Sequence, residues 1–231
     1  MKTLDAESLI ACWELGRRRH PLDRALLLYA AAVPDEDPNS LADRPLGRRN
    51  AALLQLRRSL FGDALHSCIE CPMCGERLEF ALSADALLER AASHALTHAQ
   101  LGKVRLRLPT TRDLASVAAE TEESSAARKL LERLADEPPG ESGFTDEELT
   151  RALDAADPCL DLTLDLSCPA CNHAWSAPFD VPAYLWEEID VRARRLLDEV
   201  HALARTYCWS EAQILALSEA RRRAYLERVL G

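Results

Sequence analysis

Two short cysteine turns, far apart in the chain, constrain its fold more than any other feature: Cys71-Pro72-Met73-Cys74-Gly75 and Cys168-Pro169-Ala170-Cys171-Asn172. In each, two thiols stand one tight turn apart and can reach the same ion. The proline presets one backbone angle, and Gly75 or Asn172 tolerates the left-handed conformation that closes the turn. Each turn supplies half of a tetrahedral ligand set, so the pair predicts one structural zinc held by Cys71, Cys74, Cys168 and Cys171. A redox C-x-x-C of the thioredoxin type is the weaker reading. No helix-forming run follows either pair, and a closed all-cysteine site leaves no position open for chemistry. Cys68, three residues before Cys71, could stand in for a ligand but falls on a strand pattern. His66 and His173 read as neighbours of the site rather than ligands.

The flanks of both turns alternate with period two. Leu65 to Glu70 leads into the first turn, and Leu78, Phe80 and Leu82 alternate with Arg77, Glu79 and Ala81 on the way out. Leu160, Leu162, Leu164 and Leu166 approach the second, and Trp175, Ala177 and Phe179 leave it. The pattern predicts two hairpins with metal turns at their tips, clamped by zinc into one split ribbon. The division that follows is an N-terminal helical region (1–64), the first half of the ribbon (65–82), an acidic helical insertion with one short strand (83–159), the second half of the ribbon (160–180) and a C-terminal helical region (181–231). The fold class is mainly helical α+β.

Helical spacing covers residues 4 to 17, 24 to 33 and 47 to 61, with a proline-rich connector at 34 to 45. In the insertion, residues 83 to 99, 111 to 120 and 125 to 135 read as helices. Val104, Leu106 and Leu108 make one strand, Pro138-Pro139-Gly140 with Ser142-Gly143 makes a loop, and Thr145 to Glu148 is a capping box. Asp180 caps a long helix to about Tyr207, Ser210 to Gln213 is a second capping box, and Ser218 caps the last helix. Cys12, Cys159 and Cys208 read as small buried hydrophobes. Arg48, Arg49, Arg57 and Arg58, and the triplet Arg221-Arg222-Arg223, read as solvated helix faces. Because both ends of the insertion run into ribbon strands, zinc is expected to fix its position, and chelation to release it.

The formal charge of −10 is unevenly placed. Residues 1 to 82 carry 11 basic and 12 acidic groups, residues 83 to 180 carry 9 and 18, and residues 181 to 231 carry 8 and 8. A module that grips phosphate backbones shows a basic excess, so this distribution disfavours the competing reading, a nucleic-acid-binding zinc-ribbon regulator. Catalytic constellations are missing: there is no phosphate-cradling glycine loop, no G-x-S-x-G and no H-E-x-x-H. His94 and His98 have metal-sharing spacing but no water-activating glutamate between them. The expectation is a non-enzymatic protein. The start, Met1-Lys2-Thr3-Leu4-Asp5, leads into an acid-bearing amphipathic helix, and no apolar run approaches ~20 residues, so the cytosol is the expected compartment.

Taken together, P-L-G-R-R-N (45–50), C-P-M-C-G-E-R-L-E-F, R-L-P-T-T-R-D-L (107–114), C-P-A-C-N-H-A-W-S-A-P-F-D, Y-L-W-E-E-I and W-S-E-A-Q-I-L-A-L-S resemble a family of phage-baseplate-like proteins. These are encoded with tailed-phage and extracellular contractile injection system genes. The resemblance runs along nearly the whole chain. It implies a baseplate component or assembly factor that works through protein contacts with baseplate, spike or tail components. It transfers no catalytic residue, only Cys71, Cys74, Cys168 and Cys171 as zinc ligands. The aromatics Trp186, Trp209 and Tyr225 are the candidate contact surface.

Overall fold

Side-chain caps set the starts of the helices that begin at Ala6, Pro21, Thr111, Asp146, Val181 and Glu211, and the chain sorts into a helical body, two hairpins and an insertion. The structure, a computed structural model, describes residues 4–92, 96, 98–136 and 144–230. Asp5 accepts from the Ser8 amide and starts α1 (Ala6–Gly16). Proline at its first position starts α2 (Pro21–Ala32), a 3-10 turn (Pro38–Asp43) follows, and α3 (Leu46–Phe61) ends on Gly62 at φ 89°. Then come β1 (Ala64–Glu70), β2 (Arg77–Ser83) and α4 (Ala84–Ala92). The insertion proper contributes β3 (His98–Leu101), β4 (Val104–Arg107), α5 (Thr111–Val117), α6 (Glu123–Leu134) and α7 (Asp146–Ala156). The chain closes with β5 (Thr163–Ser167), β6 (Ala174–Pro178), α8 (Val181–Tyr207), α9 (Glu211–Leu215) and α10 (Glu219–Leu230).

The body packs α1, α2 and α3 around the first half of α8. Its core is made of Leu9, Leu28, Tyr29, Leu53, Leu185 and Ile189 with their neighbours. Gly16 is there because the ring of Trp186 crosses it: a Cβ would stand 2.4 Å from two ring carbons. Trp13 donates from its indole nitrogen to Asp190 at 2.6 Å, which ties α1 to α8 a second time. The insertion has its own core, in which Leu106 of β4 meets Leu131 and Leu134 of α6 and Leu149 and Leu153 of α7. Its edge is locked by Asp113, which is buried, caps α5 through Thr110, and accepts from Arg107 at 2.6 and 2.7 Å and from Arg133 at 3.3 Å. Both hairpins root in the body core, through Leu65 on one side and Leu162 on the other.

Several expectations change. Residues 83 to 99 are not one helix: α4 is described over Ala84–Ala92, and His98–Leu101 pairs antiparallel with Val104–Arg107 across Gly102 at φ 59°. The sign of this was Gly102-Lys103 between two short alternating runs, a hairpin turn. The approach to the second cysteine turn becomes a strand only at Thr163, because Leu160 and Leu162 are drawn toward the two cores. The two cysteine hairpins do not share one small sheet. They remain separate two-stranded sheets, and no ladder joins β1–β2 to β5–β6 among the described residues. The loop expected at residues 138–143 lies outside the described residues.

Three arginines expected on solvated faces are buried. Arg57 grips Glu188 with two bonds of 2.8 and 2.7 Å and the Gly62 carbonyl with a third, lying over the rings of Tyr184 and Phe61. Arg222 donates to Glu199 and to the Leu217 carbonyl, fixing α10 to α8. Arg49 belongs to the seam described below. Arg48, Arg58, Arg221 and Arg223 do face solvent. Cys12 and Cys159 are buried as expected, whereas Cys208 is exposed, in the left-handed position that ends α8. Trp186 is core rather than contact surface, while Tyr207, Trp209 and Tyr225 form a half-buried aromatic stack. No helix of the described residues is long and apolar enough to cross a membrane.

Candidate metal centre

The two cysteine turns are built alike, bond for bond. In the first, the Cys71 amide donates to the Glu76 carbonyl (2.8 Å) and the Gly75 amide to the Cys71 carbonyl (2.9 Å). In the second, Cys168 donates to His173 (2.9 Å) and Asn172 to Cys168 (2.9 Å). The closing residue is left-handed in both, Gly75 at φ 75° and Asn172 at φ 57°. Such a turn aims both its sulfurs outward from one end of a hairpin. Residues Glu70 and Arg77, and Ser167 and Ala174, are the last ladder pairs below the two turns, so each hairpin carries its turn at its tip.

The tips meet. The sulfurs of Cys71, Cys74, Cys168 and Cys171 all lie within 4.8 Å of one another. Cys71 Sγ stands 3.7 Å from Cys171 Sγ, and Cys74 Sγ stands 3.6 Å from Cys168 Sγ. A tetrahedral ion with metal–sulfur bonds of about 2.3 Å has sulfur–sulfur edges of about 3.8 Å, so this spacing can hold a metal ion. One cysteine of each turn is buried, Cys71 and Cys168, and one is exposed, Cys74 and Cys171.

The electrostatics of the cluster suit a cation. Burial raises the Cys71 thiol, but backbone N–H groups of Cys74 and Met73 and the thiols of Cys168 and Cys171 outweigh it and bring Cys71 down to about 7. The Glu76 N–H favours a Cys74 thiolate, yet the Cys171 thiol, burial and the thiols of Cys168 and Cys71 push Cys74 up to about 12. One thiolate is welcome in this cluster and further ones repel, unless a positive ion sits among them.

The residues weighed as substitutes stand apart. Cys68 is exposed on β1, outside the cluster, and accepts from Arg77 Nε at 2.7 Å. His173 stacks on Trp175, and the His66 carbonyl accepts from the Tyr184 hydroxyl at 2.8 Å. His98 lies on β3, within 3.4 Å of Arg105, and His94 lies outside the described residues.

A second constellation was missed from sequence. Residues 46–50, at the start of α3, hold the insertion at two places, residues 109–111 within it and 157–159 at its C-terminal end. The Leu46 amide donates to the Pro109 carbonyl (2.9 Å) and the Gly47 amide to Asp157 (3.1 Å). Asn50 donates to the Cys159 carbonyl (2.8 Å), and Arg49 donates to Thr111 (3.1 Å) and to the Asn50 side chain (3.1 and 3.2 Å). Gly47 leaves room for this contact, since a Cβ would fall 1.7 Å from an Asp157 carboxylate oxygen and the carboxylate would have to shift. The insertion therefore has ties to the body that do not pass through the metal turns.

Comparison with protein-family models, with curated proteins and with solved structures gives no match.

Proposed function

We propose that the protein is a non-enzymatic, zinc-binding structural or assembly component of a contractile, phage-tail-like baseplate or injection system, acting through protein–protein contacts. The observation that carries the zinc-binding, structural part of this reading is the closed four-sulfur cluster at the meeting of two hairpin tips. Four thiolates saturate a tetrahedral ion and leave no ligand position for water or substrate, which suits a structural role. All-sulfur tetrahedral coordination favours zinc, and its binding would contribute on the order of 10 kcal/mol to the ordering of the tips. The baseplate context rests on the motif resemblance, whose segments 45–50 and 107–114 meet at the seam between body and insertion.

The test is an affinity pull-down of the tagged full chain from the cells that produce it, after nuclease treatment, with partners read by mass spectrometry and metal by elemental analysis. The expected result is baseplate, spike or tail-tube proteins at a fixed ratio, with one zinc per chain. Recovery of nuclease-sensitive transcription components would replace this reading with that of a nucleic-acid-binding regulator. Chains that carry no metal would remove the zinc.

A further inference from the structure

A cleft of about 430 Å³ opens where the body meets the insertion, bounded by α3, α5, α6, α7 and the start of α8. That volume lies in the range of sites that enclose a ligand. Its walls are apolar, with Leu114, Leu130, Leu153 and Phe179 among them. Arg49, only 5% exposed, lines its floor, and Asp180 lines it at the start of α8.

Arg49 is unusual among the buried arginines. Arg57 and Arg222 each have a carboxylate in contact, Glu188 and Glu199. Arg49 has only neutral acceptors, Thr111 and Asn50, and no carboxylate at ion-pair distance among the described residues. The carboxylate it feels most is Asp180, whose side chain is occupied in capping α8 through the Ala183 amide. A guanidinium has five N–H donors, and the three bonds present leave donors unused. Buried charge without a partner is costly, and a bound carboxylate would remove that cost.

The rim has the opposite sign. Asp154 and Asp161 are exposed at the edge of the same cleft, and neither has a cation at ion-pair distance among the described residues. Partial loss of water inside the cleft, and then Asp161, hold the Asp154 carboxyl above its usual range. A simple amphipathic acid would satisfy the floor and the walls but be repelled at the rim. A ligand with an acid between apolar groups and a base close by would satisfy all three.

We propose that this cleft docks a peptide segment of a partner protein, an apolar run that places a carboxylate on Arg49 and a lysine or arginine against Asp154 and Asp161. This rests on the reading of the protein as one that acts through protein contacts, and it specifies the chemistry of one such contact.

The test presents the metal-loaded full chain to a yeast-displayed library of random dodecapeptides, and titrates resynthesised winners by fluorescence anisotropy. Expected winners share an acid flanked by apolar residues with a base nearby. Arg49→Gln, or acid-to-amide replacement in the peptide, weakens them at least tenfold, the size of one charge-assisted bond. Should Arg49→Gln fail to fold, the peptide amide reads the same contact. The exposed pair Asp154→Lys with Asp161→Lys should reverse the rim, rejecting the winners and accepting versions in which the base is glutamate. Winners without an acid, equal binding to Arg49→Gln, or indifference to the rim reversal would each overturn the proposal. So would an empty selection, and stabilisation by decanoate alone would reassign the cleft to small organic acids. None of these outcomes touches the pull-down result, which stands or falls separately.

Discussion

Asn50→Ala should be among the most damaging single substitutions in the chain, although it lies far from the metal turns. The Asn50 side chain is buried, donates to the Cys159 carbonyl and accepts two bonds from the Arg49 guanidinium. Truncation orphans a buried carbonyl, at about 1–3 kcal/mol, and strips a buried cation of its principal acceptor, at about the same or more. Water entering from the adjoining 430 Å³ cleft would resolvate part of Arg49, which leaves a net loss of about 2–4 kcal/mol. For a chain of this size each kcal/mol lowers Tm by roughly 2–4 °C, so calorimetry should show a drop of roughly 5–15 °C with metal content unchanged. Amide exchange should locate the loss, with the Leu46 and Gly47 amides opening first because they bond to Pro109 and Asp157 across the same seam. A drop below about 2 °C, or a loss of protection confined to the hairpin tips, would refute the claim that this seam joins insertion to body.

Removing the metal tests the converse. Chelation should abolish protection at the Gly75 and Asn172 amides, which close the two turns, and leave Leu46 and Gly47 protected; simultaneous loss at both places would return the positioning of the insertion to the metal. Gly16→Ala drives a Cβ to within 2.4 Å of the Trp186 ring, so α1 and α8 must separate at a cost of about 1–3 kcal/mol; an unchanged near-ultraviolet tryptophan spectrum and Tm would contradict that packing. Asp113→Asn probes pH. Burial raises the Asp113 carboxyl, but bonds from Arg107 and Thr110 outweigh it and hold it below the usual carboxylate range. A group so lowered stabilises the fold above its unfolded value near 4, and that stability is lost as pH falls toward its folded one. Urea titrations should therefore show a deficit for the variant at pH 7 that narrows steadily below about pH 4, and a deficit independent of pH would argue against the ion pairs.

What could be read from the sequence was what is local. The cysteine turns needed only the spacing, the proline and a residue that accepts positive φ, and their flanks announced hairpins within a few residues of the true ends. The capping boxes at Thr145 and Ser210, and the Asp180 cap, likewise depend on residues three apart. The fate of each arginine was not local. In α3, Arg48 and Arg49 are adjacent, yet one pairs with Glu36 at the surface and the other is buried against Thr111, sixty-two positions away. Helix periodicity separates the two, since Arg49 shares the face of Leu46, Leu53 and Leu56 and Arg48 does not, but it cannot say which distant groups accept from a buried guanidinium. The same blindness produced the expectation of one sheet shared by the two hairpins: two half-sites for one ion imply that their tips meet, but not that their strands pair. Once the tips are seen to meet without a shared sheet, a metal bound there would have no strand ladder between the hairpins to reinforce it among the described residues, and the work of holding the insertion falls to the amides and side chains of residues 46–50. Gly47 and Asn50, not the cysteines, are then the positions where one atom more or one less should move the insertion relative to the body.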